Sequence, residues 1–280
     1  MIIKVNKYLD LNSFTKPLLL YLLLLVISTT TIIGQEINIG FHDSIESSIL
    51  NEKRRLMISL PKDYYNSGNS YSVLYRLDGD LDLFVETVGA VNRLVYVEEL
   101  MPEMIVVMIE NTNRNRDMMP TKTSYFQSQP GADHFREFIE NELIPHVNRT
   151  FRTTGDNVLC GQSLSAMFTL YCFLTSPDSF DSYIAFSGGF PDCEEFFMEL
   201  TNEMLKNKPG EVKKIFLTHG LNDFLDPDGV VKGQLLNFTQ LVESDENTVC
   251  ELKIYEDEGH VPFQSLYDGL IFIHQVISVY

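Results

Sequence analysis

Basic side chains are scarce in this chain: 21 Lys and Arg stand against 39 Asp and Glu over 280 residues, a net charge of −18. Such a surface repels phosphate backbones and argues against nucleic acid as a partner. Cysteine is also sparse. Cys160, Cys172, Cys193 and Cys250 are too few and too scattered for a disulfide framework or a CxxC metal site. There is no metal-ligand spacing, phosphate loop or basic stripe, so neither a metal nor another cofactor is expected. The strongest apolar run, Pro17 to Val26, stops at ten residues, short of the ~20 that span a bilayer. Tryptophan is absent, and no repeat or linker interrupts the chain. What remains is 44% hydrophobic and 21% charged, a balance that rules out a disordered or fibrous chain.

The first 36 residues differ from the rest. Lys4, Lys7 and Lys16 precede the apolar run, which weakens through residues 27–34 and ends on a small residue before Gln35. That pattern describes an export signal cleaved after Gly34. The competing reading is an uncleaved anchor over residues 17–34, which would give the protein its only membrane contact. Residues 35–280 are expected to form a single domain, periplasmic or secreted. Export permits disulfides, yet Cys160 and Cys172 sit in core elements, where a buried free thiol is the commoner state.

Downstream, strands and helices alternate. Residues 54–60 (RRLMISL) alternate in polarity and end at Pro61, an early antiparallel strand. Residues 71–77 form a strand before the Asp78-Gly79 turn, and residues 104–109 (MIVVMI) read as a strand buried on both faces. A helical period runs from Phe135 to Arg149 across Pro145. A short strand at 157–160 leads into Gly161 and a helix over 164–174. Strands follow at 183–186, 214–218 and 252–255, and a helix over 269–279 closes the chain. The alternation predicts an α/β fold: a mostly parallel sheet with helices on both faces.

The informative segment is Gly161-Gln162-Ser163-Leu164-Ser165, a G-x-S-x-S placed between strand and helix. A tight turn there strains the serine backbone, requires small residues two places either side, and raises the hydroxyl above the sheet. The Leu164 N–H, at the helix start, can then face a developing oxyanion. The plain alternative is Ser163 as a helix N-cap. A serine nucleophile needs a general base, and the base needs a carboxylate to orient it. Three histidines follow: His219, His260 and His274. His274 falls inside the terminal helix, and His219-Gly220 reads as a turn that delivers an acid. His260 follows the last strand and is the expected base. Asp223 is the expected acid, with Asp226 as the alternative.

These segments resemble the putative esterase family of α/β-hydrolases, whose relatives include enterochelin esterases, S-formylglutathione hydrolases and mycolyltransferases. The likeness is carried, in order, by residues 50–64 (LNEKRRLMISLPKDY), 73–79 (VLYRLDG), 111–120 (NTNRNRDMMP), 138–145 (FIENELIP), the elbow at Ser163, 177–187 (PDSFDSYIAFS) and 258–270 (EGHVPFQSLYDGL). The resemblance implies an α/β-hydrolase fold and Ser163, His260 and an acid at or near Asp223 as the triad. It also implies an oxyanion hole from the backbone N–H groups of Leu164 and Asp80. Two departures stand out. Many members read Gly-His-Ser-x-Gly-Gly where this chain has Gln162, Ser165 and Ala166, although mycolyltransferases share the Ser-x-Ser form. The family often continues past the position of Ser187 with Pro and a Trp-containing stretch, where this chain has residues 188–193 (GGFPDC).

Arg116, with Gln162 a candidate for substrate contact, could reach a carboxylate or catecholate-like group; the plainer reading is an Arg–Asp pair that staples a long loop. Asn148 and Asn237 match glycosylation acceptors but fall within helices. The expected activity is that of a serine esterase acting on a siderophore-like or other small ester. An acyltransferase using the same triad and a non-catalytic binding member of the fold are the alternatives.

Overall fold

The computed structural model describes residues 37–124 and 129–275. The chain divides into two units, Met1–Asn38 and Ile39–Tyr280, and every described strand and helix belongs to the second. The expected export segment, residues 1–34, lies outside the described residues, as does the end of the expected terminal helix. Among the described residues no helix is long and apolar enough to cross a membrane.

Eight strands form one sheet: β1 (Phe41–Ser47), β2 (Glu52–Ser59), β3 (Tyr71–Gly79), β4 (Met104–Glu110), β5 (Thr153–Gln162), β6 (Ser182–Phe186), β7 (Lys213–Gly220) and β8 (Thr248–Tyr255). Their order is β1-β2-β4-β3-β5-β6-β7-β8. β2 runs antiparallel to both β1 and β4, and the six strands from β4 to β8 across the sheet are parallel. Alternation along each strand divides the core in two. On β3, Val73, Tyr75 and Leu77 face one side, where they meet Phe135, Phe138, Phe168 and Phe173. Leu74 faces the other, against Phe84, Val88, Leu266 and Leu270.

The second face is covered by α1 (Leu81–Tyr96) and α8 (Ser265–His274). The first is covered by α2 (Arg114–Met118), α3 (Ala132–Phe138), α4 (Ile144–Thr150), α5 (Leu164–Thr175), α6 (Glu194–Lys206) and α7 (Val230–Val242). This is the expected α/β architecture, with differences of detail. The helical period over 135–149 is real but broken, with a π-helical turn at Ile139–Leu143 joining α3 to α4. Pro145 lacks an N–H and stands at the start of α4, and just before it the Ile144 N–H reaches back five residues to the Ile139 carbonyl. β5 and β8 are longer than their apolar runs, because pairing with a neighbour carries polar ends into the ladder. His219 and Gly220 are the last residues of β7, paired with Ile254 and Tyr255, and not a turn. The strand β1 and the helices α1, α2 and α6 have no counterpart among the elements expected from the sequence, whereas α7 contains Asn237, which the sequence places within a helix.

Candidate active site

The parallel strands all end at one edge, where loops from successive strands converge. β5 brings Ser163 there. Its backbone sits at φ 55° and ψ −120°, a conformation that a residue with a side chain adopts only under tertiary constraint. Two contacts supply it. The Ser163 N–H donates to the Phe186 carbonyl at 2.9 Å. At Gly161 a Cβ would lie 2.3 Å from the Ser165 carbonyl oxygen, so strand and helix can approach only over a glycine. The Ser163 side chain makes no capping bond to α5, which removes the plain N-cap reading.

The hydroxyl goes instead to histidine. Ser163 Oγ lies 2.8 Å from His260 Nε2, and His260 Nδ1 lies 2.8 Å from Asp223 Oδ2. The other Asp223 oxygen accepts the Leu225 N–H at 2.8 Å. With the carboxylate fixed as acceptor, Nδ1 carries the proton and Nε2 is left to accept from the serine.

The acid and base loops are held together by their backbones. The Leu221 N–H donates to the Tyr255 carbonyl and the Asn222 N–H to the Glu258 carbonyl, both at 2.9 Å. A Cβ on Gly220 would stand 2.1 Å from the Gly259 oxygen. Ser187 Oγ donates to the His260 carbonyl at 3.1 Å; Ser187 belongs to one of the resembling segments, but nothing in its sequence position gives it that role.

Asp226, the alternative acid, is employed elsewhere. Its two oxygens accept the Val231 and Lys232 N–H groups at 2.9 Å, closing the start of α7. It also faces the buried His219 Nε2 at 3.3 Å. Burial pushes the His219 pKa down, against the opposing pull of Asp226 and Asp223. His274 Nδ1 lies 2.8 Å from the Leu270 carbonyl within α8.

Beneath the elbow lies a polar network that the sequence does not announce. Asp78, itself at φ 61°, accepts from Arg114 Nε at 2.6 Å and Nη2 at 2.7 Å, from Asn111 at 2.9 Å and from Ser165 Oγ at 2.7 Å. Burial pushes the Asp78 carboxyl up, but these donors more than offset it and hold its pKa below the ordinary value. Ser165 therefore stands where many members of the family have glycine because its hydroxyl meets a buried carboxylate. Gln162 Oε1 accepts from the buried Arg76 at 2.8 Å, whose guanidinium lies over the Phe186 ring at 5.3 Å.

Arg116 does not line the cavity. Its guanidinium is held by Asp117 at 2.6 Å and Glu52 at 2.9 Å, with Arg54 on the same two carboxylates, so it staples the loop after β4 to β2. Asp80 caps α1, accepting the Leu83 N–H at 2.8 Å. Since β3 and β5 are adjacent and parallel, Asp80 and Ser163 follow the ends of neighbouring strands. Leu164 opens α5, where the N–H groups have no intrahelical acceptor. A cavity of about 240 Å³ adjoins Ser163 and His260, walled by Leu164, Met167, Pro191, Leu225 and Val231. All four cysteines are unpaired. Among the described residues no group of three His, Cys, Asp or Glu side chains could hold a metal ion.

The model of the family described as "Putative esterase" matches residues 47–231, about two thirds of the chain. The chain belongs to this esterase family. The family match takes in Ser163 and Asp223, and His260 lies beyond its end. An IroE-like serine hydrolase from Shewanella oneidensis superposes with a TM-score of 0.76 at 29% identity, over 83% of this chain and 79% of that one. The siderophore hydrolase EstA from Aspergillus nidulans shares the fold, with a TM-score of 0.74 at 18% identity over 87% and 96% of the two chains. In sequence, the ferri-bacillibactin esterase BesA of Bacillus subtilis is 29% identical over 171 residues, 54% of this chain and 59% of that protein. The match thus spans little more than half the length of that curated relative.

Proposed function

We propose that this family member hydrolyses carboxylic esters of small molecules through an acyl-enzyme on Ser163. The observation that carries the proposal is the unbroken hydrogen-bonded chain from Asp223 through His260 to a serine held in a strained elbow. His260 Nε2 takes the hydroxyl proton as Ser163 Oγ attacks the ester carbonyl carbon. Asp223 keeps the imidazole oriented and stabilises the imidazolium that forms. The tetrahedral oxyanion is held by the N–H groups of Leu164 and Asp80. Collapse breaks the ester C–O bond, and His260 Nε2–H protonates the departing alkoxide. Water then enters, gives its proton to His260, attacks the acyl carbon and releases the acid, and the proton returns to Ser163.

The relative named as a ferri-bacillibactin esterase favours a small-molecule ester over a polymer. The basic, then apolar, then small-residue pattern of residues 1–34 supports export of the chain. The test is hydrolysis of p-nitrophenyl acetate and butyrate by the chain and by its Ser163→Ala variant. Turnover should fall by about 10³-fold or more in the variant with an unchanged circular dichroism spectrum. Retained turnover would remove Ser163 from the mechanism.

A further inference from the structure

The surroundings of the triad carry information about charge that the triad itself does not. The cavity walls beside Ser163 are the apolar side chains of Leu164, Met167, Pro191, Leu225 and Val231, and the polar side chains lining it include the carboxylates Asp223 and Asp226 and the His260 imidazole. No Lys or Arg among the described residues lines it. The two arginines on the loop after β4 are committed to carboxylates: Arg114 forks onto Asp78, and Arg116 is held by Asp117 and Glu52.

Around the cavity, the loop that carries the acid exposes Leu221, Phe224 and Leu225, the start of α7 exposes Val230, and the loop that carries the base exposes Val261 and Phe263, Phe224 by 75% and Phe263 by 71%. The Phe224 ring meets the His260 imidazole edge to face at 5.9 Å. Scattered exposed apolar residues need no explanation, but Phe224 on the His260 ring and Leu225 on the cavity wall place exposed apolar surface at the reactive group itself. At about 240 Å³ the cavity falls below the ~300–1,000 Å³ of sites that enclose a drug-sized ligand. It therefore takes one arm of a substrate while the remainder lies on the rim.

We infer that the substrate is an uncharged ester with a short apolar arm, seated in this cavity with Phe224 at its rim, and not an ester bearing carboxylate or catecholate charge. An anionic arm would lose its hydration against apolar walls, find no cation to replace it, and face two carboxylates. This deepens the ester-hydrolase proposal and rests on it.

The experiment compares two p-nitrophenyl esters of equal length, the heptanoate and the monoester of adipic acid, which replaces the terminal ethyl group with a carboxylate. Labelling of Ser163 by a dialkyl fluorophosphate is measured on the same preparation. Labelling together with a kcat/KM at least about tenfold higher for the heptanoate supports the inference. Leu225→Lys, at an exposed position on the cavity wall, should shift that ratio toward the adipate by about tenfold or more. Labelling with the adipate cleaved as fast as the heptanoate overturns the inference and leaves the nucleophile standing. Absence of both labelling and turnover overturns the ester-hydrolase proposal and the inference with it.

Discussion

Replacing Ser165 by alanine removes one of four hydrogen bonds that a buried carboxylate receives. Ser165 is fully buried and Asp78 is 7% exposed, so water cannot take the place of the lost hydroxyl. A hydrogen bond to a charged group contributes about 1.5–3 kcal/mol. The same hydroxyl also accepts the Gln162 N–H at 2.7 Å, and a stranded, half-buried donor adds about 1 kcal/mol. Alanine's better helix propensity returns roughly 0.5 kcal/mol near the start of α5. The net loss is about 2–3.5 kcal/mol, which in a domain of this size lowers Tm by roughly 4–14 °C. Urea denaturation of the four proteins in the cycle Ser165→Ala, Asp78→Asn measures the coupling directly. Once Asp78 has lost its charge, the Ser165 substitution should cost at least about 1 kcal/mol less than in the parent. Equal cost in both backgrounds, or a loss under about 1 kcal/mol in Ser165→Ala alone, would show that the hydroxyl does not hold the carboxylate as the distances imply.

The two candidate acids should separate by assay: Asp223→Ala should lower kcat by about 10³–10⁴-fold with little loss of stability. Asp226→Asn should lower stability by about 1–2 kcal/mol through the start of α7 while kcat stays within about tenfold, and the reverse pattern would exchange their roles. Gly220→Ala places a Cβ 2.1 Å from the Gly259 oxygen, so the loop carrying His260 must shift; p-nitrophenyl butyrate turnover should fall by about 10²-fold or more, and parent-like activity would show that the loops yield freely. Burial depresses the His219 pKa, so the unfolded chain binds that proton more readily than the folded one. The contribution is fully present above the ordinary histidine value of 6.5 and is lost as pH falls below it. The urea midpoint should therefore drop between pH 7.5 and 5.5 by more in the parent than in His219→Gln, and equal drops would count against a buried neutral imidazole.

Much of this protein could be seen in one dimension. The continuous apolar run at 104–109 has one stable use, as a strand covered on both faces, and it forms the interior strand β4. The small–x–Ser–x–small elbow is equally local, because its need for Gly161 arises within five residues of chain. The elements missed in the sequence are those whose pattern is weak until a partner is present. β1 is a half-exposed strand, ordered by its register with β2. In α6 the buried positions are Phe197, Thr201 and Met204, a narrow stripe with one polar member.

The sequence by itself determined the fold class, the strand-to-helix context of Ser163 and the short list of its partners, since periodicity and turn chemistry are properties of neighbouring residues. It did not decide between Asp223 and Asp226 as hydrogen-bond partner of His260. Both are acidic residues on one loop after β7, and only the seam of backbone bonds between that loop and residues 255–259 turns one toward His260 and the other toward α7. Tertiary structure likewise made Ser165 a ligand of Asp78, 87 positions away in sequence, and committed Arg116 to Asp117 and Glu52. Those outcomes depend on which charges meet across strands, and that is set when the sheet assembles.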